Sequence, residues 1–252
     1  MTTPLVRDRT AWLQGGEATC LQPAPEVPRT WRLVLIGPPG VGKGTQADLL
    51  SQELGACPLS TGDVFRAARG RRIPLGSPMA AAQDYMKRGE LVPDETVLAL
   101  IAERGRCLHC RGGFMLDGFP RTKAQAEAID ALLAREQLRL DAVISYELPT
   151  EEIVARISGR RVCARCKSVY HVTSRPPRVA DTCDLCGDPL EQRPDDRPEA
   201  VTIRLQAYHA ATEPLIAHYR AQGLLVSIPA AGTPDQILAQ TLQALAPVAS
   251  RA

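Results

Sequence analysis

Two Cys-x2-Cys pairs constrain this chain more than any other feature: Cys163 with Cys166, and Cys183 with Cys186, separated by the 16 residues 167–182. Each tight turn presents two sulfurs to one point, and the excursion returns the second pair to complete a tetrahedron. Residues 167–182 hold few aliphatic side chains and include the turn-forming Arg175-Pro176-Pro177. Such a segment cannot bury enough apolar surface to fold alone, so a metal crosslink is the physical remedy. The spacing is that of a four-thiolate zinc site, with unrelated cysteines or two disulfides as the alternative. Four thiolates leave no open position, so the metal is expected to be structural.

With 252 residues, 44% of them hydrophobic, the chain can bury a sizeable core, one domain with a small insertion. Trp31–Ile36 is a short aliphatic run that predicts a buried strand, and Gly37-Pro-Pro-Gly-Val-Gly-Lys-Gly-Thr45 follows it. Ala47, Leu49, Leu50 and Leu54 then fall at helical spacing up to Gly55. Strand, glycine loop and helix form the context a phosphate-binding loop needs. Glycines 37, 40, 42 and 44 let backbone N–H groups turn inward, Lys43 can reach the β and γ phosphates, and the helix N-terminus faces the anion. Gly44 stands where Ser or Thr usually follows the lysine, and Thr45 comes one residue later. The motif predicts an ATP site.

Further strands are expected at Cys57–Ser60, Phe114–Asp117, Ala142–Tyr146 and Leu224–Ile228. Helices are expected from Asp63 and over about 95–104, 123–135, 150–158 and 198–222. Strands alternating with helices imply an α/β fold, a parallel sheet covered on both faces. No 18-residue apolar stretch is present, the first 30 residues lack a signal-peptide core, and Pro23, Pro25 and Pro28 make them a flexible lead-in. Eight cysteines in a chain of this kind point to metal or free thiols and to the cytoplasm. Cys107-x2-Cys110 lacks two further thiolates nearby and is expected to be free or buried rather than a second metal site.

The loop Gly-x-Pro-Gly-x-Gly-Lys-Gly-Thr resembles that of nucleoside monophosphate kinases, and more of the chain then resembles adenylate kinase. Ser60-Thr-Gly-Asp63 with Arg66 looks like the start of that family's AMP-binding region, and Leu91-Val-Pro-Asp-Glu95 like the segment that closes it. Asp117-Gly-Phe-Pro-Arg-Thr122 with Gln125 is similar to its signature. Arg160-Arg161, Tyr170-His171, Arg193-x-Asp195-Asp196 and Arg204 match its lid and catalytic arginines, and the four cysteines resemble the zinc-bearing lid of bacterial long forms. The resemblance runs from about residue 32 to 246.

It implies a P-loop three-layer fold: a parallel sheet between helices, an inserted zinc-binding lid and a small helical segment that binds the monophosphate. The divisions would be an extension at 1–30, core at 31–59, AMP-binding segment at 60–94, core at 95–159, lid at 160–196, and core with C-terminal tail at 197–252. The implied reaction is reversible, Mg²⁺-dependent transfer from ATP to AMP, giving two ADP. Lys43, Arg121, Arg160, Arg193 and Arg204 would be catalytic. Gly40, Val41, Gly42, Lys43, Gly44, Thr45, Arg156, Tyr170, Gly232 and Pro234 would bind ATP. Thr61, Arg66, Glu90, Val92, Gly118, Arg121, Gln125, Arg193 and Arg204 would bind AMP, and Cys163, Cys166, Cys183 and Cys186 the metal. Asp117 would orient a water on Mg²⁺, while Asp195 and Asp196 would brace arginines or the lid hinge.

The chemistry accounts for such a set. Bringing two nucleotides together gathers negative charge, which arginine forks neutralise two oxygens at a time. An AMP phosphate is already largely ionised at neutral pH, so no general base is needed. Two alternatives remain open: a kinase for another monophosphate such as UMP or GMP, and a zinc-ribbon binding module on an inactive scaffold. A net charge of +2 and 4% aromatic content give no footprint for nucleic acid or membrane. ATP, AMP and ADP are the expected partners of a monomeric enzyme.

Overall fold

The structure is a computed structural model that describes residues 29–68, 72–87, 92–103, 108–166, 168–193 and 196–250, with backbone alone at Asp63, Arg66, Ala67, Met86, Lys87, Pro198 and Glu199. Five strands make the central sheet: β1 (Trp31–Ile36), β2 (Cys57–Ser60), β3 (Gly113–Asp117), β4 (Ala142–Glu147) and β8 (Leu225–Pro229). All pairings are parallel and the order is β2-β3-β1-β4-β8. Side chains alternate along β1, so Val34 and Ile36 join one apolar cluster while Trp31, Leu33 and Leu35 join another on the opposite face. Both faces are covered, which is why these strands read as aliphatic runs rather than as alternating patterns. Each such side chain stabilises the fold by about 1.5–3 kcal/mol on full burial.

The helices are α1 (Lys43–Leu54), α2 (Thr61–Ala68), α3 (Pro78–Lys87), α4 (Asp94–Glu103), α5 (Lys123–Arg135), α6 (Thr150–Ser158), α7 (Pro198–Ala207), α8 (Pro214–Ala221) and α9 (Pro234–Ala249). The single helix expected over 198–222 is a correction, because it is three pieces. Between α7 and α8 the chain widens into a π turn over Tyr208–Thr212, where the Glu213 N–H donates to the Tyr208 carbonyl. Pro214 has no N–H to continue the ladder, so the helix reorganises just before it. The helix expected from Asp63 starts at Thr61.

A second, three-stranded antiparallel sheet rises from the core: β5 (Arg160–Cys163), β6 (Val169–His171) and β7 (Leu190–Glu191), in the order β6-β5-β7. Its core consists of Cys163, Tyr170, Cys183 and Leu190, with Cys166 and Cys186 packed against them. Two apolar residues and four thiols are too little to hold a unit of this size, as the sequence composition implies. None of the described helices is long and apolar enough to cross a membrane.

Candidate active site

Four of the site's loops leave the carboxyl end of a central strand. Ile36 leads into the glycine loop, Ser60 into Thr61, Asp117 into Gly118–Arg121, and Pro229 into the turn containing Gly232. In an open parallel sheet that edge is where ligands bind.

The glycine loop is shaped by contact as much as by conformation. A Cβ on Gly37 (φ +143) would lie 2.6 Å from the Tyr146 carbonyl, and one on Gly40 (φ +81) would lie 2.2 Å from Ile157 Cγ1 of α6. Only glycine fits both the left-handed backbone and the crowding. The loop ends at Gly42, also left-handed, and no side chain caps the N-terminus of α1. Such an end has the partial positive charge and N–H groups that bind a phosphate.

Lys43 opens α1 and folds back over the loop, its Nζ donating to the Gly37 carbonyl at 2.6 Å and the Pro38 carbonyl at 2.9 Å. Burial pushes its pKa from 10.5 down to about 8; Asp117 opposes the shift, while Arg121, Arg204 and Arg160 add to it. One lysine thus feels three arginines and one carboxylate drawn from three separate segments. Asp117, at the end of β3, is buried, and its Oδ2 lies 4.0 Å from where a Cβ of Gly44 would be.

Arg121 follows the turn after Asp117. Its Nε donates to the Gly118 carbonyl at 2.7 Å, and its backbone N–H donates to Gln125 Oε1 at 2.6 Å. Gln125 is held from its other end, Nε2 donating to Asp94 Oδ1 at 2.5 Å. Thr61 is buried at the start of α2, its hydroxyl donating to the Gly118 carbonyl at 3.3 Å, so Thr61, Gly118, Arg121 and Gln125 form one wall. Val92 packs against the adjacent apolar cluster. The Arg66 side chain and Glu90 lie outside the described residues.

Where the second sheet leaves the core, Arg160 makes a two-pronged pair with Asp196, Nε to Oδ2 at 2.8 Å and Nη2 to Oδ1. Arg204 Nη1 lies 3.7 Å from the same Oδ1. Asp196 is fully buried, and its backbone N–H donates to the Arg193 carbonyl, so Arg193 adjoins the same ion pair. Asp195 lies outside the described residues. Arg156, on α6, reaches the Val41 carbonyl at 3.5 Å. Gly232 precedes the Thr233 cap of α9, and the Pro234 carbonyl accepts from Gln46 Nε2 at 2.9 Å, which ties that turn to α1. Gln46 is a positioning residue that sequence reasoning missed, since one buried amide among helical residues carries no motif.

Tyr170 stands apart from the other residues expected at ATP. Its ring is buried in the cysteine cluster, so only its backbone is left for a nucleotide. The four cysteine sulfurs all lie within 4.8 Å of one another, with Cys163–Cys186 and Cys166–Cys183 at 3.4 Å. A tetrahedron of sulfurs about 2.3 Å from zinc has edges of roughly 3.8 Å, so the cluster fits such an ion. Burial pushes Cys183 up, but hydrogen bonds from the Tyr170 hydroxyl and the backbone of Leu185 and Cys186 bring it down to about 6. Cys110 forms no disulfide and is half-buried, while Cys107 lies outside the described residues.

A sequence model of the adenylate kinase family matches residues 35–224. The chain is 48% identical over 215 residues to an adenylate kinase of Streptomyces coelicolor, covering 85% of this chain and 98% of that one. It is 48% identical over 214 residues to an adenylate kinase of Carboxydothermus hydrogenoformans, covering 85% and 99%. It is 51% identical over 197 residues to one of Moorella thermoacetica, covering 78% and 89%.

Proposed function

This chain belongs to the adenylate kinase family and transfers the terminal phosphoryl group of ATP to AMP, giving two ADP; from that premise we propose how its own residues perform the transfer. The observation that carries the reading is the gathering of Asp117, Arg121, Arg160 and Arg204 around Lys43 at the carboxyl edge of the sheet.

The glycine loop and the N-terminus of α1 cradle the ATP phosphates, with Gly40, Val41, Gly42, Gly44 and Thr45 supplying the backbone or hydroxyl contacts. Lys43 exchanges its two loop carbonyls for phosphate oxygens. Arg156 with the Gly232–Pro234 turn borders the adenine side, and the backbone of Tyr170 faces the same nucleotide from the lid. Thr61, Arg66, Glu90, Val92, Gly118 and Gln125 border AMP, with Arg121 on its phosphate. Arg160, Arg193 and Arg204 surround the transferred group, where charge spreads over the equatorial oxygens. The acceptor phosphate is already ionised, so positioned cations rather than a base supply the rate. Mg²⁺, which adenylate kinases use with ATP, neutralises phosphate charge when bound, and the buried Asp117 carboxylate facing Gly44 suits a water on that ion.

The four cysteines would hold one zinc ion, which would close the lid fold without touching the reacting atoms. Reduced thiols support a cytoplasmic setting. Rates with ATP and each of AMP, UMP and GMP, together with metal analysis of the same preparation, test the reading. Preference for AMP and one zinc per chain are expected; preference for another monophosphate would displace it.

A further inference from the structure

Tyr170 has an exposure of 4%, and its hydroxyl sits at the edge of the cysteine cluster. The Asp184 backbone N–H donates to that hydroxyl at 2.8 Å, so its acceptor role is filled by the turn that carries Cys183. Its own proton is left to donate, and Cys183 Sγ lies 3.6 Å away. A hydroxyl at that distance from sulfur, already polarised by an N–H, is well suited to a negatively charged thiolate. The Ser168 hydroxyl stands in the same relation to Cys166, at 3.0 Å, so one sulfur of each pair has an O–H neighbour on or beside β6.

The backbone of Tyr170 makes a separate connection. It pairs with Arg161 across the β5–β6 ladder, and the next rung joins His171 to Arg160, whose guanidinium rests on Asp196. The hydroxyl therefore belongs to the metal cluster, while the peptide belongs to the strand next to the phosphate-directed arginine.

We propose that Tyr170 is a positioning residue: its hydroxyl, by donating to Cys183, fixes β6 to the metal cluster and so sets the strand that faces ATP. This rests on reading the cysteines as a zinc site. Without the hydroxyl, Cys183 loses a partner that stabilises its charge, and β6 loses the bond that holds it to the second cysteine turn. The ring's packing is unaffected by removing one oxygen.

The test compares zinc-loaded wild type with Tyr170→Phe, which keeps the ring and so the lid's small core. Zinc transfer to a chromogenic chelator should be roughly 10-fold faster in the variant, the scale for losing a partner of a metal ligand. The KM for ATP should rise several-fold relative to the KM for AMP, a split that general loosening of the fold would not produce. Equal zinc release, or faster release with the ratio of the two KM values unchanged, would overturn the assignment. Wild type that binds no zinc would overturn the reading of the cysteines as well, which separates the two failures.

Discussion

Arg160 and Asp196 form a two-pronged ion pair in which the carboxylate has no exposure to solvent, and Arg204 shares the same carboxylate oxygen. A single buried carboxylate thus sets the resting position of two arginines that converge on Lys43. Removing its charge leaves two cations facing each other without their common partner. Asp196→Asn is expected to lower unfolding free energy by about 3 kcal/mol, as for breaking other buried pairs. Turnover should fall in parallel. Denaturant unfolding with initial rates checks both; unchanged stability would show that the pair does not brace the hinge.

Lys43 makes the enzyme's response to pH specific. In the free protein it loses its proton near pH 8, while a bound phosphate would hold the proton on. The value of kcat/KM for ATP should therefore decline as pH rises through about 8, with kcat declining only at higher pH. Stability should move the other way. The unfolded lysine keeps its proton up to about 10.5, so between pH 8 and 10.5 the unfolded chain binds more protons, and this group's contribution to stability rises with pH. A kcat/KM for ATP that stays flat to pH 9.5 would contradict the environment described for Lys43.

Gly40 offers a third measurement. Its left-handed φ and the 2.2 Å approach of a Cβ to Ile157 mean that Gly40→Ala must move either the loop or α6. The cost in stability should be about 1–3 kcal/mol. On the proposed reading this loop borders ATP alone, so the KM for ATP should rise while that for AMP stays. Equal changes in both would mean that the loop does not belong to ATP.

Chelation tests the cysteines. Metal bound to a site absent from the unfolded chain is folding free energy, so stripping it, or making Cys183→Ser, should lower the melting temperature. A loss of even about 3 kcal/mol corresponds to roughly 6–12 °C in a chain of this size. Phosphoryl transfer should persist at low temperature, since no thiolate meets a reacting atom. Immediate loss of turnover with the fold intact would put the metal in the chemistry.

Much of this was legible before any coordinates. The aliphatic runs at Trp31–Ile36, Phe114–Asp117 and Ala142–Tyr146 are strands because both faces of the sheet are covered, and burial on two sides leaves an unbroken apolar signal. The strands of the second sheet are not legible, since β7 is two residues long and its neighbours are held by cysteines rather than by a periodic pattern. Helix α9 has a start readable from its residues though outside the expected elements: Thr233 and Gln236 form a reciprocal capping box, with Pro234 in the first turn. Tyr170 shows a different limit. A motif can mark a residue for a nucleotide site, yet only the fold shows that its ring packs among the four cysteines.

The central claim is that positioned cations, not a base, drive the transfer. The most direct measurement is kcat for ATP plus AMP in Lys43→Ala and in Arg121→Ala, each with its melting temperature. A fall of at least about 100-fold, the scale for losing one oriented charge donor, is expected in proteins that remain folded. Near wild-type turnover in either folded variant would contradict it.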